Sequence, residues 1–349
     1  MLAEAATANA SPTINGGCFR KVECFPFHQL QPRLQHEPLH VTTVWTTIYL
    51  MRWRIAVSAA IGIAAGSFCW FVMKRLHQDA ADFRWALHLA HRLLARQNPY
   101  DTPLEQYPLT AAIFAFPFVR LQPELAAGLF WGISSFALAF GLMRHGYTRL
   151  LIFLAYPYWA GLLTVQWSPL IAASGFFPLL LPATMAKPQV GLPVFLTRFG
   201  RRGLVACIVV GLASLALMPN WPLLWLRETR NYEHFIPILV LPGELLALAL
   251  LRYRNRDSQL LFLSAVLPQR WFFDSFILWL IPQSRREIIW TVFLSWGAGI
   301  WRWYHIPHSF TEVGRITVIF LYLPMLAVVL LRKREDNASA IDAGRPSSA

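Results

Sequence analysis

From residue 51 onward, apolar stretches alternate with short polar loops. Ile55–Met73 is an unbroken apolar run close to the ~20 residues a helix needs to cross hydrocarbon. Glu124–Met143, Leu150–Val165, Gly203–Met218, Phe235–Leu251, Ile288–Trp303 and Ile316–Leu331 repeat the pattern. Pro169–Leu196 is longer and is interrupted by Pro178, Pro182, Pro188 and Pro193, and Leu260–Ile281 is hinged at Pro268. Pro108–Val119 is apolar but too short to cross, so it reads as re-entrant. The pattern predicts an all-α fold: a polytopic membrane bundle of about ten spans.

Lys74–Gln106 is the polar exception. Within it, Phe83, Ala86, Leu87, Ala90, Leu93 and Leu94 form one apolar face at helical spacing, with Arg84, His88, His91 and Arg92 opposite. That spacing predicts an interfacial helix in the first outer loop, its cationic side available to anionic lipid headgroups.

Residues 1–50 mix Pro, His, Asn and Thr without period and lack the parts of a signal peptide. Met51-Arg52-Trp53-Arg54 reads as a natural beginning. Residues 1–50 are therefore expected to be a disordered tail or the product of an upstream start site. Residues 51–334 form the membrane domain, and 335–349 a disordered C-terminal tail.

Composition agrees with a membrane protein. The 349 residues are 56% hydrophobic and 14% charged, against roughly a quarter charged in a soluble domain. Mean hydropathy is +0.43. The net charge of +13 does not point to nucleic acid, because the arginines sit in short loops between apolar segments. With Arg52 and Arg54 inside, the inside loops carry Arg144 and Arg149, Arg198 to Arg202, Arg252 to Arg256, Arg285 and Arg286, and Arg332 to Arg334. Both termini are then cytoplasmic, and Lys74–Gln122, Pro219–His234, Pro268–Arg270 and Tyr304–Gly314 lie outside. Lysine occurs only at positions 21, 74, 187 and 333, so Lys187 inside an apolar stretch needs a reason. Cys18, Cys24, Cys69 and Cys207 show no metal-ligand spacing, and neither metal nor cofactor is expected.

Polar groups at membrane depth are costly and mark candidate chemistry. Four places stand out. Asp79 and Asp82 precede the interfacial helix, where either can simply cap its first turn. Asn98-Pro99-Tyr100-Asp101, followed by Tyr107-Pro108, has the composition of a turn. Gln166-Trp167-Ser168 ends a helix, and Lys187-Pro188 follows in the broken segment. Lys187 can compensate helix C-terminal carbonyls or lie at the inner interface near Arg198. Last, Arg270 and Asp274 stand four residues apart between apolar helices. They form either a private pair or an outward phosphate clamp, a task that suits the guanidinium fork.

Taken in order, these motifs resemble the polyprenol-phosphate-sugar-dependent glycosyltransferases of the GT-C fold, and most closely glycosyltransferase family 87, the bacterial α-mannosyltransferase-like group. The resemblance spans roughly residues 51–331. It rests on Asp82-Phe83, Asn98-Pro99-Tyr100-Asp101, Tyr107-Pro108, Gln166-Trp167-Ser168, Lys187-Pro188 and Pro268-Gln269-Arg270…Phe273-Asp274. Arg96 and Val165 stand where the family's motifs carry glycine, Leu109 where they carry a second proline, and Ser168 where they carry asparagine. The late motif lacks the family's histidine.

The resemblance implies a bacterial plasma-membrane enzyme that transfers a sugar, mannose by family default, with inversion on the outer face. The donor is a polyprenyl-phosphate-linked sugar, and the acceptor is a lipid or glycan. Asp82 is the implied general base, with Asp79 as runner-up. Arg84, His88, Tyr100, Asp101, Gln166, Lys187, Arg270 and Asp274 are the implied substrate-binding residues, with cations stabilising the leaving phosphate. Two other readings use the same residues: a lipid or small-molecule transporter, or a non-catalytic GT-C paralogue.

Overall fold

A computed structural model describes residues 39–101, 107–231 and 233–332, with side chains at 49–101, 107–230 and 233–332. Residues 335–349, Cys18 and Cys24 lie outside the described residues. The chain divides into two units, Met1–Thr47 and Ile48–Ala349, and the second contains the candidate site.

The described residues are helical, without a strand; Phe235 and Gln269 form one isolated antiparallel bridge. The α-helices are α1 (Leu39–Arg75), α2 (Phe83–Leu94), α3 (Thr110–Ala115), α4 (Pro123–Leu142), α5 (Tyr156–Thr164), α6 (Ser168–Ser174) and α7 (Pro188–Arg198). They continue with α8 (Arg201–Leu217), α9 (Trp221–Glu228), α10 (Arg256–Val266), α11 (Arg285–Tyr304), α12 (Phe310–Thr317) and α13 (Leu323–Leu331). α1 begins inside the segment expected to be disordered, because nothing between Pro38 and Arg52 breaks a helix.

Three helices among the described residues are long and apolar enough to cross a membrane: Tyr49–Arg75, Pro123–His145 and Phe310–Leu331. A fourth arises if α8 and α9, bent by 92°, count as one. The sequence pattern predicts about ten apolar crossings by length and hydropathy. Proline accounts for much of the difference by chopping apolar runs into short α- and 3₁₀-helical pieces. Pro169–Leu196 becomes α6, a 3₁₀ run at Pro178–Met185, and α7, and each piece carries a proline in its first turn. Leu150–Val165 becomes a 3₁₀ run at Tyr147–Leu154, an extended Ala155, and α5 with Pro157 in its first turn. The Tyr156 N–H left orphaned there donates to Ser295 Oγ of α11 at 3.0 Å. Pro108–Val119 holds only α3 and a 3₁₀ turn, too short to cross, as its length predicts.

α1 and α4 cross at four glycines. A Cβ at Gly62 would lie 2.9 Å from the Gly132 carbonyl oxygen, and one at Gly128 would lie 2.8 Å from that of Gly66. Lipid gives helices no hydrophobic reason to associate, so small residues that let backbones touch carry the contact.

At one end of this unit the arginine-rich loops converge on Asp257. Its carboxylate accepts from Arg198 at 3.0 Å, Arg332 at 2.8 Å and Gln283 at 2.9 Å. Arg332 also reaches Glu287 at 2.9 Å. Burial alone would raise the Glu287 carboxyl, but hydrogen bonds from Arg332, Gln283 N–H and Ser284 N–H hold it below its ordinary value. These loops are the ones the charge pattern assigns to the inside.

Candidate functional site

Four stretches far apart in sequence build the site, and two of them use backbone conformations their residues adopt reluctantly. The turn from α1 to α2 carries three non-glycine residues with positive φ: His77 at 51°, Ala80 at 58° and Ala81 at 42°. Each such residue costs on the order of 1–3 kcal/mol and persists only where its surroundings demand it. The turn delivers Asp82, whose N–H donates to the Thr164 carbonyl at the end of α5, at 2.9 Å. Val165 closes α5 in the left-handed region, φ 50°, and the next N–H, of Gln166, returns to the Gly161 carbonyl at 2.9 Å. Ser168 Oγ donates to the Phe273 carbonyl at 2.7 Å, locking this junction to the stretch that holds Asp274.

Asp82 is the residue before α2, yet its side chain makes no capping hydrogen bond. Its carboxylate instead accepts from Gln166 Nε2. Gln166 Oε1 accepts from Lys187 Nζ at 2.8 Å, and Lys187 Nζ donates to Asp274 Oδ1 at 2.6 Å. Asp274 Oδ2 accepts the backbone N–H of Arg270 at 3.0 Å. Gln166, Lys187 and Asp274 are all buried. With the lysine behind and the carboxylate ahead, the amide has one satisfying orientation. Lys187 and Asp274 form a buried ion pair, and the chain of contacts ends at the Asp82 carboxylate, held by the neutral Gln166 amide.

Asp82 lines a cavity of about 1120 Å³. Among the described residues, Lys187, Arg270 and Arg302 are the other charged ones on its walls, and Trp85, Tyr107, Trp159, Trp271, Trp296 and Trp303 give it an aromatic face. Among the described residues, no three His, Cys, Asp or Glu gather where one metal ion could be held.

Several expectations change. Asp82 and Asp79 do not cap α2: Asp82 is turned to Gln166, and Asp79 is exposed away from the cavity. Arg270 and Asp274 are not a private ion pair, because Lys187 takes the Asp274 carboxylate and Arg270 reaches it through its backbone N–H. Lys187 meets Gln166 and Asp274, side chains from two other stretches of the chain. On α2, Leu94 is exposed, and Leu89 joins Phe83, Ala86, Leu87 and Ala90 in the buried face, which packs on α3.

Of the remaining candidates, Arg84 is exposed and lies over the Trp85 ring at 5.2 Å, behind the wall rather than on it. His88 is half-buried on α2 and is not a wall residue. Tyr100 is buried and donates its hydroxyl to the carbonyl of Tyr107, at 3.1 Å, so it buttresses a wall residue. Asp101 is exposed and accepts the Asn98 amide. Gln166 and Asp274 act from the second layer. Arg302 escaped the sequence reading, although an arginine at the end of an apolar, tryptophan-rich helix was the signal for it.

No protein-family model, no curated protein and no solved structure matches this chain.

Proposed function

We propose that this protein is a membrane glycosyltransferase of the GT-C type, mannosyltransferase-like, moving a sugar from a polyprenyl-phosphate donor to a lipid or glycan acceptor. The reading places the cavity at the outer face of a bacterial plasma membrane, within a bundle of about ten crossings, several of them broken by proline. One observation carries it: Asp82 forgoes the capping role its position offers and is held by Gln166, Lys187 and Asp274 on the wall of a cavity shared with Arg270.

The chemistry follows from that arrangement. An acceptor hydroxyl enters beside Asp82, which takes its proton as the oxygen attacks the anomeric carbon. The bond from that carbon to the phosphate oxygen breaks, and the phosphate leaves with the electron pair. A phosphate is a stable anion, so it needs cations rather than a strong acid; Arg270 and Arg302 are at hand on the same walls. The aromatic face suits both the apolar underside of a sugar ring and the first isoprene units of a lipid.

The backbone gives independent support. Arg96 and Val165 occupy the two places where the family's motifs carry glycine, and both have positive φ, 57° and 50°. Glycine adopts that conformation freely, so the chain here keeps a glycine-like bend without the glycine.

The test is transfer of labelled sugar from a polyprenyl-phosphate donor by the purified protein in lipid nanodiscs. Appearance of a glycosylated acceptor is the expected result. Accumulation of an unmodified solute in vesicles, with no transfer, would favour a transporter instead.

A further inference from the structure

The arginine-rich end holds a buried cation that no described carboxylate meets. Arg149 is 7% exposed. Among the described residues its one hydrogen bond runs from Nη2 to the Leu280 carbonyl, at 3.2 Å. Its Nε is buried without a partner, and no described carboxylate forms an ion pair with it. A buried guanidinium is costly unless it is paired. The two carboxylates within electrostatic reach, Asp257 and Glu287, are taken by others. Asp257 accepts from Arg198, Arg332 and Gln283, and Glu287 from Arg332 and the N–H groups of Gln283 and Ser284.

Two more arginines and a histidine gather around Arg149. Arg144 and His145 follow α4, and Arg198 ends α7. His145 lies within electrostatic reach of Arg144, Arg149 and Arg198 together. All three arginines converge on the turn at Gly175 and Phe176. Arg144 Nη1 donates to the Phe176 carbonyl at a long 3.5 Å. Arg198 Cγ stands 3.7 Å from where a Gly175 Cβ would lie. Leu280, whose carbonyl holds Arg149, puts its Cδ1 3.6 Å from the same point.

Charge at this end is unbalanced. Among the described residues, Arg144, Arg149, Arg198 and Arg332 stand against Asp257 and Glu287, an excess of two positive charges. None of these residues lines the large cavity. The missing counter-charge has a definite chemistry. A phosphate carries enough oxygens to meet several guanidinium forks at once, and the planar fork matches its geometry.

We propose that Arg144, Arg149 and Arg198 bind a phosphate group beside His145, at the turn of Gly175 and Phe176. The phosphate supplies the counter-charge that Arg149 lacks. It ties the segment after α4 to α7 and to the end of the Phe272–Leu280 run, which carries Asp274. A phosphate on a lipid headgroup and one free in solution meet the same groups. The site is separate from the cavity and does not rest on the glycosyltransferase reading.

Titration of the full chain in a neutral detergent tests the site, with dioctanoyl phosphatidic acid, dioctanoyl phosphatidylcholine and inorganic phosphate as probes. Saturable binding of phosphatidic acid or inorganic phosphate is expected; phosphatidylcholine reports what the chains alone contribute. Tighter binding of phosphatidic acid assigns the site to a lipid headgroup, and equal or tighter binding of inorganic phosphate assigns it to a free anion. Arg149→Met and Arg144→Gln should each weaken binding about tenfold or more, as loss of a charge-assisted bond does. The double variant Arg285→Gln with Arg286→Gln, which removes exposed arginines outside the cluster, should bind as the parent does. Arg144 is exposed, so Arg144→Gln keeps the site testable if Arg149→Met does not fold. An Arg149 that serves the fold alone would lower the melting temperature equally with and without anion and leave Arg144→Gln at the parent's affinity. That result, no saturable binding of either anion, or an equal loss in the Arg285/Arg286 double variant would overturn the proposal.

Discussion

Lys187 Nζ lies 2.6 Å from Asp274 Oδ1, with both side chains withdrawn from water. An ion pair so placed gains little net stability, because desolvation offsets the attraction, but losing one partner strands the other. Here the pair also turns Gln166, and through it Asp82.

Lys187→Met should therefore lower stability by about 3–5 kcal/mol, the cost of a stranded buried carboxylate. Asp274→Asn should cost a similar amount, since it removes the charge facing Lys187 and offers one oxygen to the two donors that Asp274 accepts. The double variant Lys187→Met with Asp274→Leu should regain most of the stability without regaining transfer, because nothing then orients the Gln166 amide. Thermal unfolding alongside a transfer assay checks this. Recovery of both together would mean that the pair serves the fold alone.

Arg96→Gly should hold or raise stability by up to about 1.5 kcal/mol: glycine removes a left-handed penalty of about 1–2 kcal/mol at the cost of about 0.5–1 kcal/mol in chain entropy. Arg96→Ala keeps the penalty and should bring no gain. The side chain is exposed, so little packing is lost. A melting temperature lowered by Arg96→Gly and raised by Arg96→Ala would contradict the assigned conformation.

Acid should loosen the arginine-rich end. Glu287 has a folded pKa below its ordinary value because Arg332 and two backbone N–H groups outweigh the effect of burial. Its contribution is complete above the unfolded carboxyl's value of about 4.3 and drains away as pH falls through the folded one. Melting curves from pH 7 to pH 3 should show the parent losing its advantage over Glu287→Gln across that window. A gap between the two that stays constant with pH would refute the assignment.

Much of this was legible in the chain. The proline spacing in Pro169–Leu196 foretold a broken backbone, and the single lysine within an apolar stretch proved to be the hinge of the polar chain. Two kinds of feature were not legible. One is competition between a local and a distant partner: Asp82 sits where a helix cap belongs, and only the fold shows that Gln166, 84 residues away, takes its carboxylate. The other is pairing. Gly62 and Gly66 are unremarkable within an apolar run until Gly128 and Gly132 are seen opposite them. Arg84 and His88 lie off the cavity wall for a related reason: α2 buries its apolar side in the protein, and its polar residues follow that orientation rather than the cavity.

The most direct measurement is the transfer rate of Asp82→Asn. Asparagine keeps the shape of aspartate beside Gln166 but cannot take a proton from an acceptor hydroxyl. The expected result is a loss of about 10²–10⁴-fold in rate, with donor binding and thermal stability little changed. A variant that transfers sugar at the parent's rate would contradict the account at its centre.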